Sequence, residues 1–127
     1  MNNQKLKILI IEDDIPLAEM YRARLEMENY KVSCAKDGEE GLRKVEKERP
    51  DLIILDIMLP GIYGETVLEK LKEGTKTKDI PIIILTALSF NKIKDLTPKV
   101  EDFMIKSEVS LEEAVLRVKK ILKRNEI

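Results

Sequence analysis

Short apolar segments recur along this sequence, and their spacing limits the possible folds more than any other feature. Four longer segments extend from Leu6 to Ile11, from Tyr30 to Ala35, from Leu52 to Ile57 and from Ile80 to Leu85. A fifth, shorter segment extends from Phe103 to Ile105. The first, third and fourth are continuous and rich in isoleucine, which is typical of strands that are covered on both faces. The pattern therefore favours a parallel sheet buried between helices.

Segments with helical periodicity lie between these apolar runs. Pro16 suits the first turn of the first helix, and Gly74 ends the third. The last helix is the clearest, because Ser110 followed by Glu113 forms a capping box. The apolar faces are marked by Leu17, Tyr21 and Leu25 in the first helix, Gly41, Leu42 and Val45 in the second, Val67, Leu68 and Leu71 in the third, and Leu111, Ala114, Val115, Val118, Ile121 and Leu122 in the last.

This alternation of strands and helices predicts an α/β fold with a doubly wound parallel sheet. Right-handed crossovers place helices on both faces of the sheet and make a three-layer sandwich. The 127 residues suit one domain, 1–127, with a core from about residue 6 to 122. In such folds ligands bind beyond the carboxyl ends of the strands, so residues there are the first candidates for a site.

Composition excludes several classes of function. Lys and Arg number 23 against 24 Asp and Glu, so we expect no direct nucleic-acid partner and no membrane partner. No apolar run approaches the roughly 20 residues that span a bilayer. The single cysteine, Cys34, fits a reducing compartment, and we expect a cytoplasmic protein. The chain has no histidine, which rules out histidine triads and histidine metal sites.

Polar side chains follow the predicted strands at one edge of the sheet. Crowded carboxylates repel one another, and oxygen ligands select a hard cation such as Mg²⁺. A single acidic residue at such a place is as often solvated or capping the next helix, but several together favour a metal site. The residues are Glu12, Asp13 and Asp14 after the first strand, Asp56 after the third, Thr86 after the fourth and Lys106 after the fifth.

Asp56 is the candidate for covalent chemistry. It follows four apolar residues, where an unpaired carboxylate would be poorly solvated. A metal ion and the Lys106 ammonium would compensate its charge, and both would also neutralise a phosphoryl group transferred to it. Carboxylate attack on phosphorus gives an acyl phosphate. Thr86 would donate a hydrogen bond to the phosphoryl group, and the small Ala87 would leave room for it. Each residue also has an alternative role. Asp56 would only cap a strand, Thr86 would be structural, and Lys106 would be a solvated surface residue.

In this order, these motifs resemble the receiver domain of response regulators in bacterial and archaeal two-component systems. The resemblance runs from Lys7 to about Leu122, and the ordered set of motifs is specific although each one is weak. It implies a flavodoxin-like (βα)5 fold with strand order 2-1-3-4-5, and a stand-alone, chemotaxis-type receiver. The motifs are Ile10 to Asp14, Asp56 to Gly61, Pro81 to Ala87 and Asp102 to Lys106.

The resemblance also implies roles for single residues. Asp56 would accept a phosphoryl group from the phosphohistidine of a sensor histidine kinase or phosphotransfer protein, and the switched surface would bind an unknown downstream protein. The domain would be a switch, not an enzyme, with Mg²⁺ as cofactor. Mg²⁺ would be bound directly by Asp13, Asp56 and the Met58 carbonyl, and through water by Glu12. Thr86 and Lys106 would contact phosphoryl oxygens, and Phe103 would be the aromatic switch. Access of the phosphoryl group would be controlled by Ala87, Met58 and Leu88.

Two departures from the family pattern leave other readings open. Ser107 stands where the family has a proline after Lys106, and the region before Lys106 is short and contains Pro98. Both departures fit a phosphorylation-independent interaction module. Ser107 alone leaves two arrangements of Lys106 open, one in which the lysine is held less rigidly and one in which a trans loop holds it. An enzyme is a third reading, either a Mg²⁺-dependent phosphatase or a nucleotide- or flavin-binding protein. Against it, Met58 occupies the place where such phosphatases carry a second aspartate, and no GxxxxGK[ST] or GxGxxG motif occurs.

Overall fold

Strands and helices alternate through the computed structural model, which describes residues 4–124. The predicted domain 1–127 includes residues 1–3 and 125–127, which lie outside the described residues. The elements are β1 (Lys7–Ile11), α1 (Ile15–Glu26), β2 (Lys31–Ala35), α2 (Gly38–Glu48), β3 (Leu52–Leu55), α3 (Gly64–Glu73), β4 (Ile82–Thr86), α4 (Phe90–Ile93), a 3₁₀ turn (Thr97–Lys99), β5 (Asp102–Ile105) and α5 (Leu111–Arg124).

The sheet has the strand order β2-β1-β3-β4-β5, with all four pairings parallel. The predicted fold class and strand order are therefore confirmed. In the register of β1 and β3, Ile11 lies opposite Leu55. Glu12 and Asp56 follow these two residues, so the sheet itself sets both carboxylates side by side at its carboxyl edge.

Apolar clusters cover both faces of the sheet. In β1, Ile8 and Ile10 pack with α1 and α5, whereas Leu9 and Ile11 pack with α2 and α3. Successive side chains of a strand point to opposite faces, so continuous apolar runs are what a sheet covered on both sides requires. The three-layer arrangement follows from this pattern.

Side chains cap three of the helices at their N-termini. Asp14 accepts a hydrogen bond from Leu17 N at 3.1 Å at the start of α1, and Asp37 accepts one from Glu40 N at 2.8 Å at the start of α2. Ser110 caps α5 as predicted, through Glu113 N at 3.0 Å. The Glu113 carboxylate pairs with an arginine of its own helix at 2.7 Å, so only the serine half of the capping box is seen.

Helix α4 is a single turn, which confirms the shortened fourth-helix region. It spans Phe90–Ile93, and the 3₁₀ turn that follows has Pro98 in its first turn. Proline lacks an N–H and clashes with the preceding helical turn, so a longer helix could not continue through this position. Ile93 is fully buried and anchors the turn to the domain. None of the helices in residues 4–124 has the length and apolar character to cross a membrane.

The cap of α2 gives a direct test of this account of helix boundaries. We expect Asp37→Ala to lower the free energy of unfolding by about 1 kcal/mol, because it leaves the Glu40 N–H without its acceptor. Asp37→Asn keeps the acceptor and should match the parent chain. Urea unfolding measures both variants, and equal midpoints for Asp37→Ala and the parent would show that the cap contributes nothing.

Candidate functional site

Three carboxylates meet at the carboxyl edge of the sheet. Oxygen atoms of Glu12, Asp13 and Asp56 all lie within 4.8 Å of one another. Glu12 is 2% exposed and Asp56 3% exposed, whereas Asp13 faces solvent. Asp14 does not take part, because its side chain caps α1. Of the four acidic residues predicted here, three form the cluster and one has the capping role that was the alternative.

Lys106 supplies the positive charge of the site. Its Nζ lies 2.9 Å from Asp56 Oδ2 and 2.7 Å from Glu12 Oε1. Burial works against the charge of Lys106, but its close contacts with the carboxylates of Glu12 and Asp56 outweigh that effect and raise the pKa of the ammonium. The lysine is therefore aimed into the site and is not a solvated surface residue.

The turn after Lys106 holds it in place without proline. Lys106 N donates to Thr86 O at 2.8 Å, and the amides of Glu108 and Val109 both donate to Ile105 O, at 2.8 and 3.0 Å. All peptide bonds in residues 4–124 are trans. The trans loop, which Ser107 left open as a possibility, is the arrangement present.

Glu12 is the least satisfied group of the site. Its Oε2 accepts a hydrogen bond from Asp14 N at 3.0 Å, but its buried Oε1 has no hydrogen-bond partner of good angle among the described residues, despite the nearby Lys106 ammonium. Desolvation by burial raises the pKa of Glu12 to about 7, against the opposing effect of Lys106. A buried carboxylate clustered with two others, with one lysine between them, fits an oxygen-coordinated divalent cation.

The Asp56 carboxylate is held from two sides. Oδ1 accepts a hydrogen bond from Met58 N at 3.0 Å, and Oδ2 accepts one from Lys106 Nζ. The bond to Met58 closes a tight turn that brings the backbone of Met58 beside the carboxylate. The Met58 side chain itself is 55% exposed. Asp56 therefore has a fixed orientation, next to an exposed methionine.

Thr86 and Phe103 lie on the two strands beyond Asp56. Thr86 is fully buried, and its hydroxyl accepts a hydrogen bond from Leu88 N at 3.2 Å. This bond stabilises the loop that follows β4. Ala87 is exposed and Leu88 half-buried. Phe103 is half-buried, and its ring centroid lies 5.2 Å from that of Phe90.

Gly64 was missed from the sequence although it shapes the site. A Cβ at this position would lie 2.4 Å from the carbonyl oxygen of Asp56 and 2.4 Å from Ile57 Cα, which no larger residue allows. Its N–H donates to Ile57 O at 3.0 Å. The start of α3 thus packs directly on the Asp56 backbone. The sequence signal that could have indicated Gly64 was a glycine just before the apolar face of a predicted helix. Phe90 was also missed, and no pattern in the sequence indicated its contact with Phe103.

The sequence profile of the response regulator receiver domain matches residues 8–119. The chain belongs to this family. It is the receiver domain of a two-component response regulator, with a flavodoxin-like fold and the acidic pocket of such domains. The family is one of signalling switches, not of enzymes in the ordinary sense.

Relatives of the receiver are found among transcriptional regulators. The alkaline phosphatase synthesis transcriptional regulatory protein PhoP of Bacillus subtilis is 41% identical over 123 residues, which cover 95% of this chain and 50% of that protein. The DNA-binding dual master transcriptional regulator RpaA of Synechocystis is 38% identical over 122 residues, covering 94% and 50%. The chain thus spans about half the length of these relatives.

Solved receiver structures share the whole fold. The receiver domain of the Francisella response regulator 1452 superposes with a TM-score of 0.85 at 30% identity, covering 96% of this chain and 100% of that one. The response regulator TrrA of Thermotoga maritima, solved in complex with Mg²⁺ and BeF, gives a TM-score of 0.81 at 34% identity, covering 91% and 98%. The acidic cluster of this receiver fits a site of that kind.

The expectation that nucleic acid is no partner was wrong. It rested on the balance of charges in these 127 residues. The relatives are named as transcriptional regulators, and RpaA as a DNA-binding one, although this chain matches only about half of each. A receiver with balanced charges is therefore compatible with a protein that acts on DNA through another part. The charge of the receiver alone does not exclude nucleic acid as a partner.

The carboxylate cluster predicts that Mg²⁺ stabilises this receiver. Above the dissociation constant, each tenfold rise in Mg²⁺ concentration should raise the free energy of unfolding by about 1.4 kcal/mol, because the folded state alone gathers the ligands. Asp13→Asn removes one charged ligand and should shift the titration to roughly tenfold higher concentration or more. Thermal unfolding at a series of Mg²⁺ concentrations measures this.

Asp79→Asn is the matched control, since Asp79 is an exposed acidic residue just ahead of β4, away from the cluster. It should leave the Mg²⁺ dependence unchanged. An equal loss in both variants, or no Mg²⁺ dependence in the parent chain, would contradict the metal site.

Proposed function

We propose that this receiver accepts a phosphoryl group on Asp56 from the phosphohistidine of a sensor histidine kinase or phosphotransfer protein, and that its protein-binding surface then switches. The observation that supports this best is the position of Asp56. Its carboxylate is 3% exposed, yet it meets the Lys106 ammonium at 2.9 Å and lies within the acidic cluster. A carboxylate that only capped a strand would need neither the lysine nor the other acids. Their presence around a buried Asp56 therefore favours a reactive role.

The transfer requires one bond to form and one to break. A carboxylate oxygen of Asp56 attacks phosphorus, the phosphorus–nitrogen bond breaks, and the imidazole of the donor leaves with the electron pair of that bond. Lys106, already hydrogen-bonded to Oδ2, would remain beside the phosphoryl oxygens and stabilise their charge. This chain contains no histidine, so the donor phosphohistidine would lie outside these 127 residues.

A Mg²⁺ ion would be held by Asp13, Asp56 and the Met58 carbonyl, with Glu12 acting through water. When bound, Mg²⁺ would neutralise part of the negative charge of the phosphoryl group. The clustering of three carboxylates within 4.8 Å and the turn that brings the Met58 backbone beside Asp56 both support this set of ligands.

The switch would run from Thr86 to Phe103. The Thr86 hydroxyl has one proton to donate, and in this structure its oxygen accepts from Leu88 N. A phosphoryl group on Asp56 would draw the hydroxyl toward its oxygens, and the half-buried Phe103 ring would turn inward. The result is a two-state surface that a partner protein reads.

The output of this switch is proposed to be control of transcription. The relatives PhoP and RpaA support this, since the chain matches about half of each. A stand-alone receiver is the second candidate, because the chemotaxis protein CheY4 of Vibrio cholerae superposes with a TM-score of 0.83 over 99% of its own chain, at 26% identity. In either case, residues 1–127 would form one receiver domain with its core at about 6–122, as the continuous sheet supports.

Phosphorylation of Asp56 can be tested with a small donor. Incubation with acetyl phosphate and Mg²⁺ should add the mass of one phosphoryl group to the parent chain and none to Asp56→Asn, because the amide of asparagine lacks the nucleophilic carboxylate oxygen. Intact-mass spectrometry measures this, with Asp79→Asn as the control that keeps the label.

Other outcomes of the same experiment favour other functions. No label in the parent chain, with a fold intact by circular dichroism, would favour the phosphorylation-independent module. Release of phosphate from small phosphoesters by the unlabelled chain would favour a phosphatase.

The lifetime of the phosphorylated form is expected to be long. Met58 follows Asp56 by two residues and Leu88 follows Thr86 by two, and neither apolar side chain can orient an attacking water by hydrogen bonding. We expect Met58→Asn to accelerate the decay of phosphorylated Asp56 roughly tenfold or more, because an amide can position the water. Decay of the labelled mass in Mg²⁺ measures the rate.

Met27→Asn is the matched control for that change, since Met27 is a 76% exposed methionine at the end of α1. It should leave the rate unchanged. Loss of the label within seconds in the parent chain, or equal rates for Met58→Asn and the parent, would contradict the predicted role of Met58.

A further inference from the structure

The only two phenylalanines of the sequence stack on each other beside the site. Phe90 in α4 and Phe103 in β5 have ring centroids 5.2 Å apart and planes inclined by 37°. Phe90 is 47% exposed, and Phe103 also packs on the core cluster on the α2 and α3 side of the sheet. A tilted pair at this distance is an attractive arrangement of aromatic rings beyond the area that it buries.

Thr86 contacts both segments that carry these rings. Its hydroxyl accepts the Leu88 N–H at 3.2 Å, two residues before Phe90. Its carbonyl accepts the Lys106 N–H at 2.8 Å, three residues after Phe103. Thr86 is fully buried, so a displacement of its side chain must be taken up by these neighbours. The ring pair therefore lies across the two segments that a movement of Thr86 would shift.

Ile93 and the ring pair are the side-chain contacts that hold the single turn of α4. Lys92 N donates to Ser89 O at 3.0 Å and Leu96 N to Ile93 O at 2.8 Å, while Ile93 is the buried anchor. A four-residue helix has few such bonds of its own, so contacts made by its side chains decide its position. Phe90 is the large side chain of α4 that faces β5.

We infer that Phe90 is a positioning residue that holds the Phe103 ring in its half-exposed place until Asp56 is phosphorylated. The inference rests on the proposed function, since phosphorylation is what moves Thr86. As the Thr86 hydroxyl leaves the Leu88 N–H for the phosphoryl oxygens, the loop before Phe90 loosens and Phe103 turns into the space that Thr86 vacates. The two rings separate in that step.

Ring NMR tests the separation, because a chain labelled at phenylalanine shows two ring systems only. The resting chain should give a cross-peak between the Phe90 and Phe103 rings, and beryllofluoride with Mg²⁺, which mimics a phosphoryl group on a carboxylate, should abolish it. A cross-peak that persists while the Thr86 amide resonance shifts would overturn the role of Phe90 alone. If the Asp56 and Thr86 amides fail to respond, the proposed function fails, and the role of Phe90 with it.

Variants test the strength of the contact. Phe90→Ala should raise the population of the switched form before phosphorylation, and with it the apparent affinity for beryllofluoride, by roughly two- to tenfold, the equilibrium value of one aromatic pair. Phe90→Tyr keeps the ring and should match the parent. Met27→Ala removes another exposed apolar side chain, just after the end of α1, and is the control for truncation itself. Equal affinities for Phe90→Ala, Phe90→Tyr and the parent would overturn the inference.

Discussion

The structure depends most on the placement of one ammonium group between two buried carboxylates. Lys106 Nζ lies within 2.9 Å of an oxygen of both Glu12 and Asp56, which are nearly inaccessible to solvent. Two like charges at the end of an apolar sheet would otherwise repel each other in a poorly solvated place. The lysine reduces that repulsion, but burial still raises the pKa of Glu12 to about 7, so the compensation is incomplete. The site retains capacity for more positive charge, which is the property that a metal-dependent phosphoryl acceptor needs.

The parallel sheet explains why these groups meet although they are far apart in sequence. Glu12, Asp56 and Lys106 each follow a strand directly, and parallel strands bring their carboxyl ends to one edge. Backbone contacts then fix each side chain, through the turn after Asp56, the close packing of Gly64 and the bonds around Ile105 and Lys106. The meeting of these groups at one edge is thus a consequence of strand order, while the loops that follow the strands are free to differ. The proline-free turn after Lys106 and the one-turn α4 show how far they differ here.

Most of the fold and the members of the site could be predicted from the sequence. Isoleucine-rich runs identify β1, β3 and β4 because only strands covered on both faces need them, although predicted ends differed from the observed ones by a residue or two. Adjacent acids could not be told apart in this way: Asp13 and Asp14 differ only in the direction that the entry into α1 gives their side chains. The contact between Phe90 and Phe103 depends on how a short helix packs against an edge strand, which no local pattern records. The charge balance failed as a guide to nucleic acid, because it describes this domain and not the proteins in which related domains occur.

The central claim is that Asp56 is the phosphoryl acceptor in a site where Mg²⁺ and Lys106 share the charge. A crystal structure of the chain grown with Mg²⁺ and beryllofluoride tests it most directly. We expect beryllium bonded to an Asp56 oxygen, Mg²⁺ coordinated by Asp13 and Asp56, and Lys106 in contact with a fluoride. Beryllofluoride on another residue, or Mg²⁺ bound away from the three carboxylates, would contradict the account.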